Sequence, residues 1–366
     1  MKQDKLKKLT LALEKSGLSG LVLNAGPSLS YFTGLHFHLM ERPVVFIYVP
    51  GRKPVLILPG LEAAKVEGEN QLEPFFYDEN PRSWNKVFAG VLNSLNLSQA
   101  TFGVEPLQLR YLEYTLLQLA GEIDLRDGSD IIAGLRSRKD AGEIQLMQRA
   151  VEIAEESLRA LLPQIRIGVD EKELASELVL QLFRRGSDPA LPFDPIVAAG
   201  PNGANPHAKP SAPKLEEGDL LVIDWGARYQ GYVSDLTRTF AVGKVNDEST
   251  AIHEVVQLAN AAGRVAGREG GACSEVDHAA RKVIDGAGYG RYFTHRTGHG
   301  LGLQCHEEPY MHKDNENIMQ VGMTYTVEPG IYLPGKNGVR IEDDLYLSPD
   351  GPVSLSSLPR EIITVG

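Results

Sequence analysis

Acidic side chains interrupt apolar, strand-like stretches of the sequence at four positions. Asp224 and Asp235 lie in VIDWGARYQGYVSDLTRTF. Glu328 lies in TYTVEPGIY, and Glu342 lies in GVRIEDD. A buried carboxylate without a partner is costly, and two carboxylates on adjacent strands repel each other. A bound cation removes both penalties, although exposure at strand ends explains the two aspartates equally well when they are taken alone.

A histidine-rich segment adds nitrogen to these oxygen donors. RTGHGLGLQCHEEP, residues 296–309, holds His299 and His306 among glycines, and taken alone it also fits a flexible loop. Four carboxylates with one imidazole suit Mn²⁺, Co²⁺, Zn²⁺ or Fe²⁺, and four negative charges balance two divalent ions. Two metals about 3.5–4 Å apart activate a shared water near neutral pH. The set therefore predicts hydrolysis.

The first part of the chain alternates predicted strands with predicted helices. Short apolar runs predict strands over residues 19–24, 43–50 and 53–59. A helical pattern covers residues 109–121, and such alternation favours an α/β domain. The charged stretch LRSRKDAGE, residues 135–143, is the best candidate for a domain boundary. We therefore predict two domains, residues 1–135 and residues 136–366.

Longer helical patterns open the second part. Apolar residues three and four apart predict helices over residues 143–165, 170–186, 250–267 and 274–286. Two strands joined by a turn at Gln230–Gly231 are predicted over residues 219–243, and further strands over residues 322–335 and 338–348. This order hints at an internal duplication, although the sequence shows no convincing repeat.

The motifs together resemble the pita-bread metallopeptidases, specifically the proline-specific branch that contains Xaa-Pro aminopeptidase and prolidase. The segments that match, in the family's order and spacing, are GPNGANPHAKPSAPKLEEGDLLVIDWGARYQGYVSDLTRTF, HRTGHGLGLQCHEEP, TVEPGIYLPG and GVRIED. The first half is similar to the creatinase-type N-terminal domain. The resemblance implies an α/β (α+β) fold, with an N-terminal creatinase-like α/β domain followed by a C-terminal pita-bread catalytic domain.

The resemblance also implies a metal site with two divalent ions per chain. Mn²⁺ is the expected metal, with Co²⁺ or Zn²⁺ as alternatives. The implied ligands are Asp224, Asp235, His299, Glu328 and Glu342. Asp235 and Glu342 would bridge both ions, and Glu328 would also handle the proton of the bridging water. A homodimer is expected on the same ground.

Further residues are implied to line the substrate cleft: His207, His295 and His306. His306 is expected to donate a hydrogen bond to the tetrahedral intermediate, and Arg340 to orient Glu342 or reach the substrate. Candidate aromatics for a proline pocket are Phe193, Tyr229, Tyr232, Tyr310 and Tyr332. Cys305 is expected to serve packing. The remaining histidines are expected to be structural or on the surface: His36, His38, His253, His278 and His312.

Tyr310 bears on the length of the substrate. The Xaa-Pro bond has a tertiary nitrogen without N–H, and the expected substrates are peptides with proline at the second position. Some prolidases carry an arginine directly after the proline of the His-Glu tract, where it can hold the free carboxylate of a dipeptide. Tyr310 stands there instead. The sequence thus favours an Xaa-Pro aminopeptidase, with a strict Xaa-Pro dipeptidase as the alternative.

Composition and motif content disfavour several other classes. A net charge of −11 disfavours nucleic-acid binding, and no apolar run is long enough for a membrane-spanning helix. The two cysteines fit a reducing cytoplasm. A metal-free creatinase-like enzyme would lack the ligand set, and a short methionine aminopeptidase would lack the N-terminal half. A related metal-dependent amide hydrolase and an inactive binding protein of the same fold remain alternatives.

Overall fold

The structure is a computed structural model that describes residues 1–97 and 99–366. The chain forms two compact units, Met1–Arg136 and Ser137–Gly366. Within the described ranges, none of the helices combines the length and the apolar character that crossing a membrane requires.

The first unit is built on a mixed six-stranded sheet. Its strands are β1 Gly20–Asn24, β2 Val45–Tyr48, β3 Val55–Pro59, β4 Glu73–Tyr77, β5 Thr101–Val104 and β6 Asp124–Asp127, in the order β4-β3-β2-β1-β5-β6. Its helices are α1 Gln3–Ser16, α2 Pro27–Thr33, α3 Pro81–Ser94, α4 Tyr111–Ala120 and α5 Ser129–Arg136, with a 3-10 helix at Gly60–Val66. Every residue of β1, β2 and most of β3 is buried, as continuous apolar runs predict. The three predicted strands and the predicted α4 are confirmed.

The second unit contains the remaining helices and strands. Its helices are α6 Ala141–Leu161, α7 Glu171–Arg184, the four-residue α8 Gly200–Gly203, α9 Asp247–Ala266 and α10 Ser274–Gly286, with 3-10 helices at Leu162–Gln164 and Gly290–Tyr292. The strands of its first half are β7 Ile196–Ala199, β8 Leu220–Trp225, β9 Arg228–Tyr229, β10 Tyr232–Val233 and β11 Leu236–Val242. The strands of its second half are β12 Gly298–Gly300, β13 Glu307–Met311, β14 Thr324–Val327, β15 Gly330–Tyr332, β16 Gly338–Arg340, β17 Asp343–Ser348, β18 Gly351–Ser354 and β19 Ile363–Val365.

These strands form two principal sheets. One has the order β19-β11-β8-β7 and the other the order β13-β12-β14-β17-β18, while β9 with β10 and β15 with β16 form short ribbons. The four predicted helices are confirmed as α6, α7, α9 and α10. Asp140 and Asp170 accept hydrogen bonds from backbone N–H groups three residues on, which is the arrangement that starts a helix. Each half therefore places two long helices before an antiparallel strand pair, β8 with β11 and β14 with β17.

The predicted strands 322–335 and 338–348 each prove to be two strands. The first breaks after Glu328 because Pro329 has no N–H for a sheet hydrogen bond. The second breaks at Ile341–Glu342, where the chain leaves the β15–β16 ribbon and enters the larger sheet. Both acidic residues thus lie at points where a strand ends, just outside a regular ladder.

His253 in α9 generates a prediction about acid stability. Its side chain is 1 % exposed, and burial lowers the pKa of His253 to about 4, so the folded chain holds the neutral ring. As pH falls below about 6.5, the unfolded chain takes up a proton that the folded chain refuses. The free energy of unfolding therefore falls by up to about 3 kcal/mol between pH 6.5 and pH 4.

Urea unfolding at pH 4 and at pH 7 tests this. The His253→Leu variant should lose less unfolding free energy between the two pH values than the wild-type chain does. His278→Gln, at an exposed histidine in the same unit, should follow the wild type. Equal losses in all three proteins would show that His253 is accessible to protons in the folded state.

Candidate metal centre

Asp224 and Asp235 project from one face of an antiparallel strand pair. Asp224, near the end of β8, lies opposite Thr237 of β11, and Asp235 precedes Thr237 by two residues. Residues opposite each other across a pair, or two apart along a strand, share a face of the sheet. Both carboxyl groups are buried. The fold therefore holds two acids side by side away from water.

Glu342 is attached to this strand pair through Thr237. The Glu342 N–H donates to the carbonyl oxygen of Thr237 at 3.0 Å, and the Thr237 hydroxyl donates to Oε2 of Glu342 at 2.7 Å. Glu328 directly follows β14, and its N–H donates to the carbonyl oxygen of Thr297 at 2.7 Å. Both glutamates are thus fixed by their own backbone as well as by the strands beside them.

His299 presents a lone pair to two of these carboxylates. Its Nδ1 lies 3.1 Å from the carbonyl oxygen of Gly300, and since a carbonyl only accepts, Nδ1 carries the ring hydrogen. The other nitrogen, Nε2, lies 3.6 Å from Oδ2 of Asp235 and 3.4 Å from Oε1 of Glu328. Burial lowers the pKa of His299 well below its usual value, so this nitrogen is bare. Three electron-rich atoms therefore face one another.

The structure brings all the predicted ligands together in overlapping groups. Within each group, one donor atom from each residue lies within 4.8 Å of the others. The groups are Asp224 with Asp235 and Glu342, His299 with Glu328 and Glu342, and Asp235 with His299 and His306. Asp235, His299 and Glu342 each belong to two groups, so two carboxylates and one imidazole connect the cluster.

Two carboxylate oxygens of the cluster lack hydrogen-bond partners within the described ranges, the carboxylates repel one another, and bound cations would relieve both costs. Among the described residues, Oδ1 of Asp224 and Oε1 of Glu342 are buried without a hydrogen-bond partner. Burial and then the charge of Asp224 raise the pKa of Asp235 well above its usual value, and burial and then Asp235 do the same for Glu342. Burial raises the pKa of Glu328 to about 8. Divalent cations satisfy such oxygens and such repulsion, so the residues present fit a metal centre.

Arg340 is buried among these acids. Its Nη2 donates to Oδ2 of Asp224 at 2.5 Å, its Nε donates to the hydroxyl of Thr237 at 3.1 Å, and its Nη1 donates to the hydroxyl of Tyr332 at 2.9 Å. Arg340 therefore pairs directly with Asp224 and reaches Glu342 through Thr237. That Arg340 orients Glu342 or reaches the substrate stays a prediction, and its printed link to Glu342 runs through the hydroxyl of Thr237.

His295 belongs to the same hydrogen-bond network. Its Nδ1 lies 2.7 Å from the carbonyl oxygen of Arg296 and so carries the hydrogen, while its Nε2 lies 2.9 Å from the hydroxyl of Tyr332. Burial lowers the pKa of His295 to about 4, so the ring is neutral and Nε2 accepts. Tyr332 therefore donates to His295 and accepts from Arg340. Both nitrogens of His295 are occupied inside the network, which makes this histidine a support for Tyr332.

His207 lies in residues 200–213, which comprise the short α8 and the irregular chain after it, and a buried carboxylate holds this segment near both ends. Glu171, the first residue of α7, is 2 % exposed. Its carboxylate accepts the N–H of Ala199 at 2.7 Å, and the N–H and hydroxyl of Ser211 at 2.7 and 2.6 Å. The side chain of His207 itself is exposed, so its expected place in a substrate cleft stays a prediction.

His306 and Cys305 approach the cluster from the segment after β12. The side chain of His306 is exposed, and its ring centroid lies 4.1 Å from that of His299. The thiol of Cys305 donates to Oδ2 of Asp235 at 2.9 Å. Cys305 thus contacts a predicted metal ligand, whereas the sequence suggested only a packing role.

The five aromatic candidates separate into different environments. Tyr232 is buried in the apolar core, and its hydroxyl donates to Oε1 of Glu143 at 2.5 Å. Tyr229 packs against the same core, and Tyr332 is committed to the network around Arg340. Phe193, Tyr229 and Tyr310 are all half-buried, and of these three Phe193 and Tyr310 lie outside the core cluster that Tyr229 packs against.

Three residues outside the sequence prediction position the site: Thr237, Asp344 and Glu171. Oδ2 of Asp344 accepts the N–H of Asp235 at 3.0 Å. Thr237 carried a signal in the sequence, because it lies two residues after Asp235 and so shares its strand face. Asp344 and Glu171 carried none, since an acid after a strand break or at the start of a helix is commonplace.

Comparisons with known proteins agree with this geometry. The family model described as Metallopeptidase family M24 matches residues 145–349, and that of the Creatinase/Prolidase N-terminal domain matches residues 5–138. An Xaa-Pro dipeptidase of Pyrococcus horikoshii is 33 % identical over 98 % of this chain and 99 % of its own. A prolidase structure from Thermococcus sibiricus, 34 % identical, has a TM-score of 0.94 over 100 % of this chain and 99 % of its own. An X-Pro aminopeptidase structure from Thermotoga maritima, 30 % identical, has a TM-score of 0.86 over 98 % and 99 %.

The Arg340–Asp224 pair yields a prediction about the chelated protein. Replacing Arg340 by Met leaves a buried carboxylate without its cation, and breaking one side of a buried pair costs about 3–5 kcal/mol. Arg340→Lys keeps the charge but not the three-way fork, so its loss should be smaller. Urea unfolding at pH 7 in the presence of a chelator measures both. A Met variant as stable as the wild type would show that Asp224 does not depend on this arginine.

Proposed function

Since the chain belongs to metallopeptidase family M24, we propose that it hydrolyses the peptide bond that precedes proline. The observation that carries the proposal is the cluster of three buried carboxylates and the half-buried Glu328, two of which lie beside the bare Nε2 of one histidine. The family implies divalent metal ions, and the orphaned oxygens of the cluster fit them.

We assign the metal ligands residue by residue. Asp224 would bind one ion, Asp235 and Glu342 would bridge both, and His299 with Glu328 would complete the other, with Mn²⁺ as the expected metal and Co²⁺ or Zn²⁺ as alternatives. Two divalent ions bound there supply an activated water and polarise the scissile carbonyl. The assignment is supported by Asp235 and Glu342, which are the carboxylates that connect the groups.

The remaining steps fall to side chains at the edge of the cluster. Glu328 is proposed to take the proton of the attacking water and deliver it to the proline nitrogen, since its carboxylate lies inside the cluster, 3.4 Å from the bare Nε2 of His299. The exposed His306 is proposed to donate a hydrogen bond to the charge that develops on the carbonyl oxygen. Arg340 fixes Asp224, and His295 acts through Tyr332.

Dipeptides are the proposed substrates. Relatives called Xaa-Pro dipeptidase and prolidase match the whole chain at 33 % and 34 % identity, and the X-Pro aminopeptidase structure is less similar, at 30 %. The comparisons thus favour the dipeptidase alternative over the aminopeptidase that Tyr310 suggested. Peptides with proline at the second position remain the substrate class in both.

Domain roles and assembly complete the proposal. Residues 1–135 would form the creatinase-like domain and residues 136–366 the catalytic domain, in agreement with the two compact units and the two family matches. We also propose a homodimer in the cytoplasm, where the free thiols of Cys273 and Cys305 persist.

The activity itself is tested with Ala-Pro in the presence of Mn²⁺ or Co²⁺. The protein should release proline, lose the activity to a chelator and regain it when the metal returns, while Ala-Ala should be cleaved at least about tenfold more slowly. Chromatography of the products measures the rates. Cleavage that survives chelation contradicts the metal centre, and a metal-loaded protein that cleaves neither peptide would be a binding protein or act on another amide.

Asp235→Asn tests the bridging assignment. Because Asp235 connects two ligand groups, the variant should hold about one metal ion per chain or fewer. It should lose at least about 100-fold in kcat, the upper range seen when even the outer partners of a metal ligand are removed. Elemental analysis and the Ala-Pro assay measure both quantities.

Asp219→Asn is the matched control for that variant. Asp219 directly precedes β8 but lies outside the ligand groups, and its carboxylate accepts only a backbone N–H that an amide oxygen can also accept. The control should keep its metal and its rate. Full metal occupancy in Asp235→Asn would show that Asp235 is not a bridge.

A further inference from the structure

Arg296 is a half-buried cation beside the metal cluster. Its guanidinium lies over the ring of Tyr310, 4.2 Å from the centroid. Throughout residues 1–97 and 99–366, no carboxylate lies within ion-pair distance of it and no hydrogen bond to the guanidinium is formed. A charged group that is partly withdrawn from water is normally paired. The missing partner points to an anionic ligand.

The arginine stands next to the reacting centre. It precedes His299 by three residues, and the Tyr310 ring that carries it projects from the position opposite His299 in the β12–β13 pair. Arg340 is already paired with Asp224, so Arg296 is the cation near this centre that is left to meet a ligand.

We infer that Arg296 binds the free carboxylate of proline in an Xaa-Pro dipeptide and thereby restricts the length of the substrate. This inference rests on the proposed function. In a dipeptide the carboxylate carbon is three bonds from the scissile carbonyl carbon, which is within about 4 Å. The group that recognises it must therefore stand beside the metal ligands. A guanidinium binds a carboxylate through two parallel hydrogen bonds, and an aromatic ring beneath it fixes its plane.

Tyr310 takes a different meaning in this arrangement. The sequence suggested that its position lacks the arginine that holds a dipeptide. In the structure the ring of Tyr310 packs against the guanidinium of Arg296. The positive charge therefore comes from a residue just before β12, the partner strand of β13, and not from β13 itself. A longer peptide has a neutral amide where the carboxylate would be, so it would leave Arg296 unpaired. A longer peptide should bind less well, because the guanidinium of Arg296 would have no carboxylate to pair with.

The experiment compares Ala-Pro with Ala-Pro-amide and Ala-Pro-Ala on the metal-loaded protein. The wild type should prefer Ala-Pro by roughly 10- to 100-fold in kcat/KM, the range expected for hydrogen bonds to a charged group. Arg296→Gln should lose most of that preference through a higher KM for Ala-Pro, with the rate on the amide unchanged. Arg296→Lys keeps the charge without the fork and should retain a smaller preference.

Arg291→Gln is the matched control. The guanidinium of Arg291 also lies over a tyrosine ring, 4.6 Å from the centroid of Tyr292, and its side chain is exposed. This variant should keep the wild-type preference. Calorimetry with the chelated protein adds a measurement that needs no turnover, since proline should bind more tightly than prolinamide to the wild type and equally to Arg296→Gln.

The outcomes separate the two ideas. If the wild type cleaves Ala-Pro and its amide equally well, the bond preference stands and the inference about Arg296 is overturned. An equal loss on both substrates in Arg296→Gln, or proline binding that the variant retains, overturns it as well. If the loaded wild type cleaves no proline peptide, the proposed function itself fails.

Discussion

The second unit holds four mutually repelling carboxylates together, three of them buried and Glu328 half-buried. Arg340 offsets one charge through Asp224. Burial raises the pKa values of Asp235 and Glu342 well above their usual range, and the next cause is the charge of Asp224 for Asp235 and of Asp235 for Glu342. No chain would place these groups together for stability alone, because burying them opposes folding. Bound cations relieve this cost, as protons also do, and the family to which the chain belongs implies divalent metals, which links the sequence to hydrolytic chemistry.

The fold meets this constraint with short, rigid supports. Asp224 lies within β8, and the other three acids, Asp235, Glu328 and Glu342, lie just outside the ends of strands, so antiparallel pairs fix the backbone beside each carboxylate. Thr237 joins the two halves, because its carbonyl and hydroxyl both bind Glu342 while the hydroxyl also accepts from Arg340. Such a network holds ligands in place before any metal arrives, and geometry fixed in advance is what catalysis requires.

The sequence was informative where a residue broke a strong local pattern. Acids inside apolar strands stood out against a clear background, so the ligand set and the main helices could be predicted. It was uninformative where residues looked ordinary. Glu171 resembles any acid that starts a helix, and only the folded chain shows that it holds the segment carrying His207. The breaks at Glu328 and Glu342 were missed because apolar spacing does not show which sheet a strand joins.

The recognition of a dipeptide's carboxylate requires a positive charge, but that charge does not have to stand at position 310. A dipeptidase needs a cation near the scissile bond, but the cation need not come from one fixed position in the sequence. β12 and β13 are paired, and Tyr310 lies opposite His299. The side chain of Arg296, three residues before His299, is therefore close enough to contact Tyr310. An aromatic residue at position 310 removes a charge from one strand and provides the surface that holds a charge from the other. The pair of residues, and not either one alone, therefore determines whether a free carboxylate is recognised.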